Sequence, residues 1–186
     1  MPHPSDVIVI DYEASSLKGT SNGSVGGDGD SFPIEVGLAY PDGSVESYYI
    51  SPARTWIDWD AHVEDNIHKI SRDMLIEQGR DVSEIANILN NKLSGKTVVC
   101  DGKSSDPFWT NRLFSAANVE CQFSLFYLYD LIDQNDPLFD IAYEQVEVSD
   151  ETPHRAGEDA VIIKRFYQSF YELKNAPKSK KNELRL

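Results

Sequence analysis

Four acidic residues and one histidine have the types and positions that metal-assisted hydrolysis requires. Asp11 and Glu13 end an apolar segment, and residues two apart in a strand point to the same side. Asp106 follows a second apolar segment, at the expected start of a helix. His154 and Asp159 lie five residues apart at the start of the last expected helix. We expect these five side chains to form one site.

Each of these residues alone also has an ordinary structural explanation. Charged side chains at a strand end are commonly solvated, and Asp106 could be only a helix cap. Asp159 could stabilise the helix dipole from the first turn, and a histidine after a proline is most often a loop residue. A joint site is favoured because every one of these residues lies at the end of an element.

The repulsion between neighbouring carboxylates indicates the chemistry. Carboxylates packed together raise one another's pKa and stay ionised only with cations nearby. Oxygen ligands with incomplete coordination suit Mg²⁺ or Mn²⁺, which keep waters and bind substrate phosphates. Two such ions can stabilise the attacking and leaving oxygens of a phosphodiester, and a neutral histidine can take a proton from the attacking water. The set therefore favours phosphodiester hydrolysis.

The surrounding pattern predicts an α/β fold. Strands are expected at residues 7–12, 33–40, 44–50, 97–100 and near 122–124. An Asp-Gly turn at 42–43 joins the second and third as a hairpin. Helices are expected at 60–70, 71–78, 82–93, 106–117, 125–132, 137–146 and from 155 or 156 to 173. This order predicts a mixed five-stranded sheet with helices on both faces.

Three segments resemble the motifs of the DEDDh family of 3′–5′ exonucleases, which has the ribonuclease H-like fold. Residues 8–13 (IVIDYE) resemble the first motif, and residues 98–100 leading to Asp106 resemble the second. Residues 154–159 (HRAGED) fit the H-x-A-x-x-D pattern of the third, which is the most specific. The resemblance extends over about residues 6–173, and FPIEVG at 32–37 and IHKIS at 67–71 support it.

The resemblance implies an activity and a set of site residues. A member of this family removes nucleoside 5′-monophosphates from the 3′ ends of single-stranded RNA or DNA, or from short oligonucleotides. Asp11, Glu13, Asp106 and Asp159 would hold two Mg²⁺ or Mn²⁺ ions. His154 would be the general base.

Substrate contacts are expected beside the first two motifs. Where the family often has two threonines and a glycine before a leucine, this chain has Ala14-Ser15-Ser16-Leu17. The resemblance implies that the backbone of this segment, at Ser15, contacts the terminal nucleotide, with Leu17 against its base. Phe108 and Trp109 follow the middle motif and are candidates to stack on bases. One of the two is expected in the core instead, since adjacent helical residues point in different directions.

The middle metal ligand has two candidates. Residues 101–106 (DGKSSD) contain Asp101 as well as Asp106, and the helix expected directly after Asp106 favours the latter. Lys103, Arg112 and Arg155 are the basic residues near the motifs that suit phosphate contacts.

Composition narrows the class of protein. The chain has 186 residues, of which 31 are acidic and 17 basic, with a net charge of −14. This length favours one exonuclease domain at 1–173, followed by a basic tail at 174–186. The negative charge disfavours affinity for long duplexes and favours substrates held by metal ions in a narrow pocket. No membrane span or signal peptide is expected, and two cysteines without disulfide or zinc spacing favour the cytoplasm.

A second function stays open at this point. The same fold could serve as a catalytically silent module that binds nucleic acid or protein. That hypothesis predicts an incomplete metal set, whereas all four carboxylates and the histidine are present. The oligomeric state is open as well, because several relatives of the resembled family are homodimers.

Overall fold

Five strands form one mixed sheet in the computed structural model, which describes residues 1–20, 27, 29–146 and 154–177. The strands are β1 (Val7–Ala14), β2 (Pro33–Ala39), β3 (Val45–Tyr49), β4 (Thr97–Cys100) and β5 (Leu125–Tyr127). Their order across the sheet is β3-β2-β1-β4-β5. The pairs β3–β2 and β2–β1 are antiparallel, whereas β1–β4 and β4–β5 are parallel. The expected mixed five-stranded sheet is confirmed.

Helices follow the hairpin and the later strands. They are α1 (Ala61–Val63), α2 (Arg72–Gln78), α3 (Val82–Leu93), α4 (Ser105–Ala117), α5 (Leu128–Leu131), α6 (Leu138–Glu144) and α7 (Ala156–Asn175). A 3₁₀ turn, Pro4–Asp6, precedes β1, and a π turn, Glu64–His68, continues α1. Within the described ranges, none of these helices has the length and apolar character needed to cross a membrane.

Alternate residues of β1 enter two hydrophobic cores, one on each face of the sheet. Ile10 packs in the core that contains residues of α3 and α4, whereas Val9 packs in the core formed with α6 and α7. Asp11 and Glu13 continue the series of Val9, so they project from the face that α7 covers. Helices therefore lie on both faces, as expected, and the strand directs its two acids toward the last helix.

Three predicted elements differ from the structure: the fifth strand, the helix expected at 60–70, and the helix expected at 125–132, of which only α5 forms. The fifth strand lies at Leu125–Tyr127 and not at 122–124, because parallel pairing places Leu125 beside Val98. A short apolar segment does not distinguish a strand from a helix by its periodicity. The helix expected at 60–70 is only α1 and its π turn, which end where Lys69 adopts a left-handed φ of 57°.

The basic tail is described only at its beginning. Helix α7 continues to Asn175, two residues beyond the expected end of the domain. Lys174, the first basic residue of the expected tail, lies in this helix and pairs with Asp136. Residues 178–186 lie outside the described residues, and the division at 173 stays a prediction.

Candidate active site

Helix α7 begins in direct contact with the second strand. A Cβ atom on Gly37 would lie 2.1 Å from the carbonyl carbon of Ala156, so only glycine allows this approach. Gly37 pairs with Asp11 of β1 across the sheet. The first turn of α7 therefore lies over the end of β1, where the two acids project.

One group of candidate ligands combines β1 with the start of α7. A ligand atom from each of Glu13, His154 and Asp159 lies within 4.8 Å of the other two. The His154 Nδ1 atom is 3.1 Å from Asp159 Oδ2, and the His154 backbone N–H donates to the Ile67 carbonyl at 3.1 Å. The imidazole is 62% exposed, so water can reach it while its backbone is held.

A second group lies on the other side of Asp11. Ligand oxygens of Asp11, Asp101 and Asp106 all lie within 4.8 Å of one another. Asp106 is only 2% exposed, and its Oδ2 accepts a hydrogen bond from the Gly102 N–H at 3.1 Å. A Cβ atom on Gly102 would lie 2.7 Å from Asp106 Oδ1, so glycine lets the turn approach this carboxylate closely.

The two groups meet in a cleft of about 400 Å³. Its polar wall contains Asp11, Glu13, Asp101, His154 and Asp159, and its apolar wall contains Leu128, Tyr129, Tyr143, Ile162, Ile163 and Phe166. A larger hollow of about 550 Å³ lies between the N-terminal segment and the second half of α7. Among its described lining residues Glu172 is the one carboxylate, so the smaller cleft is the candidate active site.

Burial and mutual repulsion make these carboxylic acids weak. Burial, with the charges of Asp159 and Glu35, raises the pKa of Glu13 to about 8. Burial, with the charge of Asp101, raises the pKa of Asp106 to about 7. Burial and the charges of Asp106 and Glu13 also raise the pKa of Asp11 well above its ordinary value. Such a cluster favours bound cations, which remove the repulsion.

Three of the four residues expected to contact substrate have buried side chains, so their contacts stay predictions. Phe108 and Trp109 are 3% and 6% exposed, because the sheet, α3 and the loop before β2 enclose α4. The Trp109 indole donates to Ser31 Oγ at 2.9 Å. Ser15 is 1% exposed and its hydroxyl bonds Asp58 at 3.0 Å, so it braces the loop and does not face the cleft. Leu17 is 71% exposed, and its contact with a base stays a prediction.

The three basic candidates for phosphate contacts also have different positions. Arg112 is 4% exposed, and its guanidinium lies 5.6 Å from the ring centre of Trp56. Lys103 is exposed, with its ammonium 5.3 Å from the ring centre of Tyr127. Arg155 is directed to β2, where it pairs with Glu35.

The sequence alone does not indicate the apolar wall of the cleft or the pairing of Arg155 with Glu35. Tyr129 and Tyr143 belong to segments without a motif, and nothing in their spacing indicates that they meet. Glu35 lies within a segment that resembles the family, which was the available signal for its importance.

Comparison with known proteins finds its matches among solved structures. No family model and no curated protein matches the chain. An exonuclease I from Methylocaldum szegediense superposes with a TM-score of 0.62 at 15% identity, covering 96% of this chain and 44% of that one. Escherichia coli exonuclease I in complex with a dA16 oligonucleotide gives 0.60 at 15% identity, covering 90% and 42%. A zinc-bound form of an E. coli exonuclease I complex with single-stranded DNA gives 0.57 at 12% identity, covering 91% and 40%.

The likeness at these identities concerns the fold. The chain spans less than half the length of the exonuclease I structures that it matches. Those neighbours agree with the resemblance that the three motifs indicated. This chain has the α/β fold of the exonuclease I structures that it matches.

Proposed function

We propose that this protein is a metal-dependent 3′–5′ exonuclease that releases nucleoside 5′-monophosphates from single-stranded nucleic acid. The observation that carries the proposal is the convergence of acids from β1, α7 and the β4–α4 connection in one cleft. An exonuclease fold and a nuclease function in general are supported by the structural neighbours. The direction of cleavage, the mechanism and the substrate are the parts proposed here.

The donor set fits hard divalent ions. It consists of carboxylate oxygens, and burial with neighbouring charges raises the pKa of Asp11, Glu13, Asp101 and Asp106, as expected for acids that share bound metal. Asp11, Glu13, Asp159 and one or both of Asp101 and Asp106 would hold two Mg²⁺ or Mn²⁺ ions. Bound there, the ions would stabilise the negative charge that develops on the attacking and leaving oxygens.

His154 is the group suited to accept a proton. When its Nδ1 hydrogen is donated to Asp159 Oδ2, 3.1 Å away, the lone pair on Nε2 faces outward to take a proton from water. The water oxygen then bonds to phosphorus as the bond from phosphorus to the preceding 3′ oxygen breaks, and that oxygen takes a proton from solvent. The proton passes to His154, and a nucleoside 5′-monophosphate leaves.

The substrate proposed is a single-stranded 3′ end or a short oligonucleotide. Solved structures of the neighbours contain dA16 and other single-stranded DNA. The net charge of −14 opposes binding of a long polyanion except where metal ions compensate it. RNA and DNA are both retained as substrates. A cytoplasmic location and a homodimer stay predictions.

A cleavage assay tests the proposal. Single-stranded RNA and DNA of equal sequence, labelled at the 5′ end, are incubated with Mg²⁺, Mn²⁺ or EDTA. We expect a ladder that shortens from the 3′ end, that EDTA abolishes, and that Asp11→Ala and His154→Ala abolish or strongly reduce. The nucleic acid, RNA or DNA, that is shortened at the higher rate is the preferred substrate.

Asp42→Asn is the matched control for loss of a carboxylate. Asp42 lies in the β2–β3 turn, at the opposite end of the sheet from the cleft, so its substitution should leave cleavage unchanged. Absence of cleavage of either strand by the wild-type protein would contradict the proposal. Binding of single strands without cleavage would then support the silent module.

A further inference from the structure

The residue between His154 and α7 is bound to the second strand by a bidentate ion pair. Arg155 donates from Nε to Glu35 Oε2 at 3.0 Å and from a terminal nitrogen to Glu35 Oε1 at 2.8 Å. Paired parallel hydrogen bonds of this kind define orientation as well as distance. The peptide that carries His154 is therefore attached to β2 at the adjacent residue.

Further contacts join the same pair to the helix and to the third strand. The Ala156 N–H, the first of α7, donates to Glu35 Oε2 at 3.2 Å. Arg155 also donates to the Tyr49 hydroxyl of β3, and its guanidinium carbon lies 5.0 Å from the centre of that ring. The Glu35 carboxylate thus accepts from both the side chain of the helix cap and the backbone of the first helical residue.

The position of Glu35 connects this contact to the cleft. Glu35 lies directly opposite Glu13 in the β1–β2 register. Its side chain is only 2% exposed, so it remains in place beside the strand that carries a candidate ligand. The distance from Glu13 to the start of α7 is consequently set through Glu35 and Arg155.

We propose that Glu35 and Arg155 are positioning residues for the exonuclease site. They hold the start of α7 so that His154 and Asp159 lie within reach of Glu13. This inference rests on the proposed function and assigns Arg155 a role other than phosphate contact. A hydrophobic pair could attach α7 equally well, but it would not fix the rotation of the segment on which His154 lies.

Steady-state kinetics of Glu35→Gln, Arg155→Gln and the double variant test this role. We expect kcat to fall by roughly 10- to 100-fold in each single variant, because displacement of a reacting group by about 1 Å has an effect of this size. KM should change by less than about threefold, and the double variant should be no worse than the singles, since the two residues act as one unit. Arg155→Lys should recover only part of kcat, because an ammonium does not reproduce the bidentate geometry.

Hydrogen exchange of the metal-free protein provides a readout that does not depend on activity. The Ala156 amide should lose protection in Arg155→Gln, whereas amides of β1 keep theirs. Lys92→Gln is the matched control, since it breaks an ion pair of 2.8 Å with Glu46 near the far end of β3. That variant should leave kcat and the Ala156 amide unchanged.

Two results would overturn the inference. An increase in KM with unchanged kcat in Arg155→Gln would show that Arg155 contacts substrate. Unchanged kcat and unchanged Ala156 exchange would show that the pair positions nothing. If the wild-type protein cleaves neither strand, the exchange experiment still decides whether the pair holds α7. If the glutamine variants unfold, Arg155→Lys carries the same measurements.

Discussion

At the scale of single residues, the two candidates for the middle ligand have different environments. Asp106 is buried beneath the cleft and bonded to the Gly102 N–H, whereas Asp101 lines the cleft itself. One carboxylate oxygen of Asp101 and one of Asp106 lie within 4.8 Å of a carboxylate oxygen of Asp11. The structure therefore adds a fifth carboxylate to the four that the motifs predict.

Comparison of Asp101→Asn with Asp106→Asn separates these two roles. We expect Asp106→Asn to abolish measurable cleavage, because it removes a direct ligand. Asp101→Asn should weaken divalent-ion affinity by roughly 10- to 100-fold, as loss of a supporting group does. Isothermal titration with Mn²⁺ and the cleavage assay measure the two effects. If Asp101→Asn instead reduced cleavage and Mn²⁺ affinity more than Asp106→Asn, Asp101 would be the direct ligand.

His154→Ala distinguishes a general base from a metal ligand. Loss of a general base should reduce kcat by about 10²- to 10⁴-fold. Mn²⁺ affinity should be unchanged, because the proposed ligands are the carboxylates. A large decrease in Mn²⁺ affinity would instead make His154 a ligand, which its distance from Glu13 and Asp159 also permits.

At the scale of elements, the contact between α7 and β2 determines where His154 and Asp159 lie relative to the acids of β1. Two of the five expected residues reach the cleft only because the helix starts over Gly37. The buried Lys164 of α7 donates to the carbonyls of Pro4 and Val7, which attaches the middle of the helix to the start of β1. The helix is thus bound to the sheet along its length.

Gly37→Ala should displace the first turn of α7. A Cβ atom there would overlap the Ala156 backbone, and overpacking of this kind destabilises a fold by about 1–3 kcal/mol. We expect a lower urea midpoint and a loss of cleavage larger than the loss of stability explains. Gly27→Ala is the matched control, since its Cβ would lie 3.7 Å from the nearest atom, an ordinary contact. Equal behaviour of the two variants would show that α7 can shift without consequence.

At the scale of the whole molecule, the acidic cleft links stability to pH and to metal. Burial and neighbouring charges raise the pKa of Glu13 from 4.5 to about 8 and that of Asp106 to about 7. A group with a raised pKa binds more protons in the folded state than in the unfolded one. Its contribution is therefore complete below its unfolded pKa and is lost as pH rises through the folded pKa.

The metal-free protein should lose stability as pH rises from about 4.5 to about 8. We expect a decrease on the order of a few kcal/mol in the free energy of unfolding over this range. Mg²⁺ or Mn²⁺ should reverse the decrease, because the ions replace the protons. Urea unfolding across this pH range, with EDTA or with metal, measures both effects. A flat profile with EDTA would contradict the proposed crowding of carboxylates, and Glu13→Gln should reduce the slope.

Local sequence patterns are enough to predict the order of the elements and most of the candidate site residues. Asp11 and Glu13 are two residues apart in a strand, so backbone geometry alone places them on the same side. His154 and Asp159 are five residues apart, so the sequence alone places both at the start of the last helix. The order of strands and helices followed from the change in hydrophobic period, except where the three-residue β5 lacks one. These features depend on near neighbours along the chain, so they can be inferred without coordinates.

Tertiary packing decided which side chains reach the cleft. Phe108 and Trp109 suited base stacking by position, yet both are buried because α3, the sheet and a loop surround α4. Asp101 lies in the site because the turn at Gly102 places its carboxylate beside that of Asp11. Glu35 and Arg155 are 120 residues apart in the chain. Burial and long-range pairing depend on how distant elements pack, and no spacing along the chain encodes them.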